Sequence, residues 1–295
     1  MNAFLFAWRN ADRLPTGVVR AAAGTVAWAA WAARAKPARR LEENLARVTG
    51  LDGRALRRVG RRGMASVARY YAEVLELGRM TGTQIDARVR IDANEQMLDV
   101  LRSDGAKIAV LGHNGNWDLV GAWASRNLIP VTAVAEVLKP REVFDQFVAL
   151  REEVGIAVLG HEGGATFREL IRLARGDRRL ICLLADRDLS GSGVATRMWG
   201  HDVKVAPGPA ALAAATGTVL FPVMVRYERL RGERRRAARS RWGVVLSFGP
   251  VIDPADHAGD GRVEAMTHVW TGWLADRVAE HPEDWHMLQR FGWST

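Results

Sequence analysis

The stretch KIAVLGHNGNWDLVG at residues 107–121 determines how the rest of the chain can fold. The apolar run 108–111 predicts a buried strand, the glycines after it predict a turn, and the amphipathic run 119–127 predicts a helix. His113 would then lie just beyond the carboxyl end of a strand, and Asp118 at the start of the next helix. In open α/β sheets this edge is where ligands bind.

A turn between strand and helix allows the imidazole of His113 to fold back onto the carboxylate of Asp118. Such a pair is typical of a general base, because a carboxylate on one ring nitrogen fixes the tautomer and leaves the other nitrogen free to take a proton. The alternative interpretation is structural: His113 is satisfied within a tight turn and Asp118 caps the helix. The local pattern alone leaves both interpretations open.

Beyond residue 100, short apolar runs alternate with amphipathic segments. The predicted strands are residues 108–111, 131–135, 156–159, 180–185, 219–225 and 244–248, and the other predicted helices are residues 142–154, 164–175, 209–216 and 263–280. This alternation predicts an α/β fold with a largely parallel central sheet flanked by helices. The last strand follows an Arg-rich loop and is expected to pair antiparallel. Since no repeat or long linker interrupts the chain, residues 91–295 are assigned to an α/β core and residues 1–90 to a helical section of the same domain.

The first ninety residues differ from the rest in charge. The chain has 295 residues and a net charge of +9. Residues 1–90 contain 17 Lys and Arg against seven Asp and Glu, whereas residues 91–295 contain 25 against 26. The segment 226–241 adds a second basic cluster, with eight Arg against two Glu. Fields of this sign attract anionic lipid or nucleic acid.

Residues 17–33 are small and apolar, with Trp28 and Trp31 near their end and basic residues on both sides. Only 13 of them, residues 21–33, form an uncharged run, and a transmembrane helix needs about 20. We therefore expect an interfacial helix, with the Trp rings at headgroup depth and the basic residues drawn to anionic lipid. The alternatives are a core helix of the globule and the apolar part of a cleaved signal peptide.

Residues 54–79 repeat apolar side chains every three or four positions, which predicts a long amphipathic helix. Its first half contains Arg57, Arg58, Arg61 and Arg62. Cations at the start of a helix oppose the macrodipole, so a negatively charged surface partner explains them better than local helix stability. A solvated charged face is the alternative. The N-terminal section is therefore predicted to bind the membrane surface.

Several common chemistries do not fit the sequence. The single cysteine, Cys182, lies in an apolar run, so an intrachain disulfide is impossible and a buried, inert thiol is expected. The chain has no nucleophile elbow, no P-loop, no dinucleotide-binding glycine motif and no Cys/His cluster at zinc spacing. His161 and Glu162 begin a zincin-like motif, but Ala165 stands where its second His is required. No metal is predicted.

Five segments carry a resemblance to a known family. They are GHNGNWD (112–118), AEVLKPREVFDQFVALREEVG (135–155), CLLADRDLSGSGV (182–194), APGPAALAAATG (206–217) and DWHMLQRFGW (284–293). In this order and spacing the chain resembles the lysophospholipid-type acyltransferases, which share an H-x4-D/E motif. Among them it most resembles the actinobacterial phosphatidylinositol mannoside acyltransferases, which are relatives of the lipid A lauroyl acyltransferases.

The resemblance implies a reaction and its partners. A fatty acyl chain would move from acyl-CoA, as co-substrate, to a sugar hydroxyl of an anionic glycolipid such as a phosphatidylinositol mannoside. The protein would need no other cofactor and would lie peripherally on the cytoplasmic face of the cell membrane. Another lysophospholipid or a lipid A-like molecule is the alternative acceptor, and acyl carrier protein the alternative donor.

The resemblance also assigns roles to residues. His113 matches the general base of the family and Asp118 the acid that orients it. Glu136 and Arg151 match polar positions that shape the pocket, although a surface ion pair between them is the structural alternative. A ternary complex suffices, because no Ser or Cys nucleophile is positioned. Backbone N–H groups at the turn 114–115 or at the helix start are candidate oxyanion donors.

Three further matches follow the fourth predicted strand. Asp186 matches an acidic site position that is often Glu in this branch, so its shorter side chain has a different reach. Arg187 and Asp188 continue the motif. The structural alternative is that Asp186 caps the turn after its strand. Residues 195–199 depart from the family pattern, which is more aromatic there, and this changes the expected lining of the acyl or sugar site.

Nucleic-acid binding is a different class of function that fits the positive charge of the chain but not its amino-acid composition. A nucleic-acid-binding protein would use the basic N-terminal section and the segment 226–241. The residues between these arginines are mainly Ala, Val and Leu, with few aromatic side chains to stack on bases. Nucleic acid is therefore not an expected partner.

Overall fold

The computed structural model describes residues 14–137, 140–161, 163–188 and 191–293. The first thirteen residues of the predicted helical section lie outside these ranges. The α-helices are α1 (Thr16–Ala32), α2 (Lys36–Thr49), α3 (Gly53–Leu77), α4 (Gly82–Arg88), α5 (Glu95–Arg102), α6 (Trp117–Asn127), α7 (Arg141–Glu153), α8 (Gly164–Ala174), α9 (Gly208–Thr216), α10 (Gly232–Ala238) and α11 (Arg262–Glu280). Short 3-10 helices lie before α11 at Pro254–Asp256 and after it at Pro282–Asp284.

The strands form one large sheet and one hairpin. They are β1 (Val89–Asp92), β2 (Ala106–Leu111), β3 (Val131–Glu136), β4 (Ile156–His161), β5 (Arg179–Leu184), β6 (Val194–Met198), β7 (His201–Val205), β8 (Leu220–Arg229) and β9 (Trp242–Phe248). Among the described residues, seven strands make the main sheet in the order β1-β9-β8-β2-β5-β3-β4. Its strands pair in parallel except β8 with β9, and β6 pairs antiparallel with β7.

The predicted α/β fold with a largely parallel sheet is confirmed. All six predicted strands are present, and β9 pairs antiparallel with β8 as expected. The sequence prediction missed β1 and the β6–β7 hairpin, and it treated α10 as part of a loop. β1 has the sequence VRID, and its charged residues hide the apolar pattern of a strand at the sheet edge.

The continuous apolar run of β2 reflects a sheet that is covered on both faces. All six residues of β2 are buried. Ile108 and Val110 belong to one hydrophobic core, whereas Ala109 and Leu111 belong to another. Because successive side chains of a strand point to opposite faces, these cores lie on opposite sides of the sheet. β2 is therefore a rigid central strand, and the turn after it starts from a fixed point.

The helical N-terminal section packs through α1, α2 and α3. A small core that includes Leu41, Leu45 and Met64 joins these helices. Arg20 of α1 forms an ion pair with the buried Glu76 of α3, which ties α1 to the long helix. Within the described part of the chain, no helix is long and apolar enough to cross a membrane.

Candidate active site

His113 and Asp186 meet because two neighbouring parallel strands end beside each other. β2 ends at Leu111 and β5 at Leu184, and these two residues are paired in register. Nδ1 of His113 lies 2.6 Å from Oδ1 of Asp186. The backbone N–H of His113 donates to Oδ2 of the same carboxylate at 2.9 Å. The imidazole and the carboxylate therefore form one unit at the carboxyl edge of the sheet.

The predicted pairing of His113 with Asp118 is wrong. Asp118 lies in the first turn of α6 and is completely buried. Its Oδ1 accepts a hydrogen bond from Nε of Arg151 at 2.7 Å, and its Oδ2 accepts one from the hydroxyl of Tyr70 at 2.8 Å. Arg151 comes from α7 and Tyr70 from α3, so the carboxylate joins three helices. The partner of His113 comes instead from β5.

The alternative surface ion pair between Glu136 and Arg151 is also wrong. Arg151 is buried, and its guanidinium lies over the rings of Trp117 at 4.6 Å and Phe147 at 5.3 Å. Glu136, at the end of β3, instead lies 3.5 Å from Arg187, with 55% of its side chain exposed. Arg151 thus belongs to the helix packing, and Glu136 to the surface beside the strand ends.

Arg187 directly follows Asp186 in the chain and lies 3.5 Å from Glu136, and the charges of both residues act on the pKa of His113. Asp188 behaves differently, because its Oδ2 accepts the backbone N–H of Gly193 at 2.8 Å. That contact shapes the loop before β6. Of the predicted site residues, Asp186, Arg187 and Glu136 are therefore gathered near His113, whereas Arg151 and Asp118 support the helix that follows.

The C-terminal segment holds this unit from the other side. Nε1 of the buried Trp285 donates to Oδ2 of Asp186 at 2.9 Å. The backbone N–H of His286 donates to the carbonyl of His113 at 2.7 Å. Trp285 was not predicted as a site residue, although it belongs to the DWH sequence that contributed to the family resemblance. With these contacts Asp186 receives hydrogen bonds from His113 and from Trp285.

A buried polar chain fixes the C-terminal segment to α3. The hydroxyl of Ser66 donates to Oδ1 of Asp284 at 2.7 Å, and its oxygen accepts from Nε2 of His286 at 2.9 Å. Burial, followed by the charges of Arg69 and His113, lowers the pKa of His286 to about 3. His286 is therefore a neutral structural donor, whereas the side chain of His113 is 36% exposed.

The carboxylate of Asp186 stabilises the protonated form of the His113 imidazole. Burial lowers the pKa of His113, but the charge of Asp186 and its hydrogen bond outweigh burial, so the pKa lies above its usual value of 6.5. Burial likewise raises the pKa of Asp186, but His113 and the hydrogen bonds to the carboxylate lower it overall. Asp186 is thus an anion that accepts from Nδ1–H of His113 and leaves Nε2 available as a base.

The loop after β2 leaves no room for larger residues. A Cβ at Gly112 would collide with the side chain of Asn114 and come within 3.1 Å of Asp186. Gly115 has a φ of +56°, and a Cβ there would lie 2.5 Å from the carbonyl oxygen of Val225. These glycines allow the backbone to pass between β8 and the carboxylate.

Two predicted oxyanion donors are already engaged. The backbone N–H of Asn114 donates to the carbonyl of Gly112 at 2.8 Å, and that of Gly115 to the carbonyl of Asp284 at 2.9 Å. These contacts stabilise the loop, so the turn 114–115 does not supply free amides for an oxyanion. The start of α6 remains the candidate. Among the described residues no three His, Cys, Asp or Glu side chains converge to hold a metal ion.

The residues predicted to contact the membrane divide into two groups. Trp28 is 59% exposed. Arg58, Arg61 and Arg62 are also exposed. Trp31, in contrast, packs against the small N-terminal core, and the guanidinium of Arg57 lies 4.1 Å from its ring while donating to Glu42 at 2.7 Å. Trp31 and Arg57 are therefore packing residues, because each already has a partner inside the protein.

Comparison with known proteins gives consistent matches over nearly the whole chain. Residues 1–292 match the family described as bacterial lipid A biosynthesis acyltransferase. The phosphatidylinositol mannoside acyltransferase of Mycolicibacterium smegmatis is 34% identical over 96% of this chain and 88% of its own. The protein of the same name from Mycobacterium tuberculosis (strain CDC 1551 / Oshkosh) is 33% identical over 97% and 86%. A solved structure, the 1-acyl-sn-glycerophosphate acyltransferase of Thermotoga maritima, matches with a TM-score of 0.39 and 16% identity, over 76% of this chain and 82% of that one.

Proposed function

The chain belongs to the bacterial lipid A biosynthesis acyltransferase family, and from this membership we propose that it transfers a fatty acyl chain from acyl-CoA to a sugar hydroxyl of a phosphatidylinositol mannoside. The names of relatives at 32–34% identity support this acceptor. The observation that carries the mechanism is the hydrogen bond between Nδ1 of His113 and Asp186.

In the proposed mechanism His113 is the general base. Asp186 accepts the Nδ1–H, which fixes the tautomer and leaves the lone pair of Nε2 free. With 36% of its side chain exposed, His113 is accessible to a substrate hydroxyl. Nε2 takes the proton as the hydroxyl oxygen attacks the acyl carbonyl, and the buried charge of Asp186 stabilises the imidazolium that forms.

The remaining step needs no covalent enzyme intermediate. The new C–O ester bond forms as the C–S bond of the thioester breaks, and the imidazolium returns its proton to the departing thiolate. Both substrates must therefore be bound together, and holding them in register supplies a large part of the acceleration. Trp285 and the C-terminal segment support this step by fixing Asp186 and the backbone of His113.

Product analysis tests the proposed function. The purified full chain is incubated with palmitoyl-CoA and a phosphatidylinositol dimannoside, and the products are analysed by mass spectrometry. One added palmitoyl group on the glycolipid, with an equal amount of free coenzyme A, is the expected result. Parallel reactions with lysophosphatidic acid, a lipid A precursor and palmitoyl-acyl carrier protein examine the alternative substrates. Acylation of only one of these other acceptors would overturn the proposed acceptor.

We also propose that α1 lies on an anionic membrane. Val18, Val26 and Trp28 expose 50%, 69% and 59% of their surface, respectively, whereas Val19 and Ala27 of the same helix are buried. Single exposed apolar side chains are ordinary, but an apolar helix face beside exposed arginines is typical of interfacial binding. The proposed location is the cytoplasmic face of the cell membrane.

Vesicle binding provides a quantitative prediction for this surface. The protein is expected to sediment with vesicles that contain phosphatidylserine and less strongly at high salt, because salt screens exposed charges beyond about 10 Å at 0.1 M. The variant Trp28→Ala should bind less, since it removes the most exposed aromatic ring of α1. Equal sedimentation with neutral and anionic vesicles would contradict this prediction.

The pH dependence of turnover follows from the state of His113. A general base must be neutral, so kcat/KM should rise as pH increases and His113 loses its proton. Asp186 holds the pKa of His113 above its usual 6.5 despite the opposing effect of burial. The midpoint of the rise is therefore expected above pH 6.5, as measured from initial rates across the pH range.

Two substitutions identify the carboxylate that sets this midpoint. Asp186→Asn removes the negative charge and leaves burial, which lowers the pKa, so the midpoint should move down. Asp118→Asn should leave the midpoint unchanged in the folded protein, because Asp118 is bonded to Arg151 and Tyr70. A shift in the Asp118 variant without one in the Asp186 variant would contradict the pairing with Asp186.

A further inference from the structure

A cavity whose lining does not include His113 lies between the helical section and the segment that joins β8 to β9. It has a volume of about 830 Å³. Six arginines line it, and we call this group the arginine basin: Arg20, Arg69, Arg235, Arg236, Arg239 and Arg241. They come from α1, α3 and the stretch formed by α10 and the segment before β9, so three separate parts of the chain contribute cations to one space. The proposed chemistry at His113 uses none of them.

Most of these cations have no carboxylate partner. Arg20 pairs with Glu76, and Arg236 lies 4.0 Å from the exposed Glu233. Among the ion pairs of the described residues, the other four members of the arginine basin take no part. Like charges held together repel each other unless an anion lies between them. The arginine basin therefore carries more positive charge than these ion pairs neutralise.

The carboxylate in the lining of the cavity supplies only part of that charge. Glu73 lines the cavity, but it is buried and forms an ion pair with Arg88. Its Oε2 also accepts from Nδ2 of Asn116 at 2.9 Å and from the hydroxyl of Tyr227 at 3.2 Å. Its charge also acts on the pKa of Arg20 and of Arg69, but one carboxylate shared among these groups does not balance six arginines.

Arg69 is the clearest example of the excess positive charge in the arginine basin. Its guanidinium lies 3.6 Å from the centre of the Trp242 ring and 4.5 Å from that of Tyr227. Burial, opposed by the nearby Tyr227, Glu73 and Asp284, lowers the pKa of Arg69. The rings stabilise the cation through their π faces but do not neutralise it. Arg69 is thus a half-buried cation held in a fixed orientation at the edge of a cavity.

The turn at Arg239 explains how the end of α10 reaches the cavity. Arg239 follows α10 with a φ of +47°, in the left-handed region. Helices commonly end in this conformation. The turn brings Arg239 and Arg241 into the lining of the cavity.

The arginine basin is connected to the loop that carries the proposed base. Glu73 at its floor bonds Asn116, which is three residues after His113 and caps α6. Arg20 at its rim belongs to α1, whose apolar face is exposed. A ligand held in the basin would thus lie beside α1 and beside a carboxylate that is bonded to the loop of His113.

We propose that the arginine basin binds a phosphate group of a substrate. Planar guanidinium groups match phosphate oxygens with paired hydrogen bonds, and several converging arginines are the usual recognition element for a phosphate ester. Under the proposed function, two substrates carry such esters: the nucleotide of coenzyme A and the headgroup of the glycolipid. The identity of the source rests on that function, whereas phosphate binding itself does not.

Calorimetric titration of the full chain tests the proposal without any turnover. The probes are 3′,5′-ADP, which represents the nucleotide of coenzyme A, and glycerophosphoinositol, which represents the lipid headgroup. The variant Arg235→Ala/Arg236→Ala removes two exposed arginines of the basin. The control Arg102→Ala/Arg175→Ala removes the same charge from exposed residues that precede β2 and β5, at the opposite edge of the sheet.

The basin variant should bind at least one probe roughly tenfold more weakly, a loss of about 1.4 kcal/mol, because two charged hydrogen-bond donors are removed. The control variant should bind like the original protein. Selective loss of 3′,5′-ADP binding assigns the basin to the donor, and selective loss of glycerophosphoinositol binding assigns it to the acceptor. Equal losses in both double variants, unchanged binding in the basin variant, or no binding of either probe by the original protein at millimolar concentration would overturn the proposal.

Discussion

His113→Ala is expected to retain the native fold and to lose acyl transfer. The imidazole is the only group of the Asp186 unit that reaches a substrate hydroxyl in the proposed mechanism, and positioned base catalysis typically contributes about 10²–10⁴-fold. The fold should survive, because the backbone N–H and carbonyl of residue 113 keep their bonds to Asp186 and His286. The measurements are the initial rate of labelled palmitoyl transfer and the thermal unfolding midpoint by circular dichroism.

A matched control separates loss of the base from a general effect of removing histidine. His268 is an exposed histidine on α11 whose Nε2 lies 3.1 Å from the carbonyl of Ala195. His268→Ala should leave turnover unchanged. Asp186→Asn should reduce turnover by roughly 10²-fold, since it leaves Nδ1 without an anionic acceptor and the imidazolium without its counter-ion. Near-native turnover of His113→Ala would remove the proposed mechanism.

The position of the site could be predicted from the sequence, but the pairing within it could not. A strand, a glycine turn and an amphipathic helix around His113 are local patterns, so they located the sheet edge. Asp186 was identified through the family resemblance. That β5 lies directly beside β2, however, depends on the strand order, which no local pattern contains. Asp118 was predicted as the partner because it is close along the chain and because it matches the acid of the family's H-x4-D/E motif.

The same holds for the fold: local sequence patterns predicted some elements, whereas features that depend on contacts distant along the chain were missed. Apolar runs such as those of β2 and β5 predicted buried strands, because strands covered on both faces have no polar alternation. The β6–β7 hairpin was missed because Arg197, His201, Asp202 and Lys204 interrupt its apolar residues. The role of Trp285 was also missed, since its contact with Asp186 joins residues 99 positions apart. Nothing in either local sequence specifies that contact.

Asp118→Asn is expected to destabilise the protein by about 3–5 kcal/mol, because it leaves a buried cation without its counter-ion. The Asp118 side chain is 1% exposed and that of Arg151 is 7% exposed. The asparagine oxygen can still accept a hydrogen bond from the Tyr70 hydroxyl. The decrease in the free energy of unfolding is therefore due to the missing charge and not to the loss of that hydrogen bond. Urea unfolding of the variant and the original protein measures the difference in free energy.

The double variant Asp118→Asn/Arg151→Met distinguishes a structural ion pair from a catalytic acid. Removing both charges eliminates the uncompensated cation, so the double variant should be more stable than Asp118→Asn alone. If Asp118 acts on structure, turnover per folded molecule should also recover in the double variant, since His113 and Asp186 are untouched. If Asp118 instead orients the base, stability would recover while turnover stayed low. In that case Asp118 would contact His113 only when substrate is bound. Its hydrogen bond to Arg151 would then belong to the enzyme without substrate.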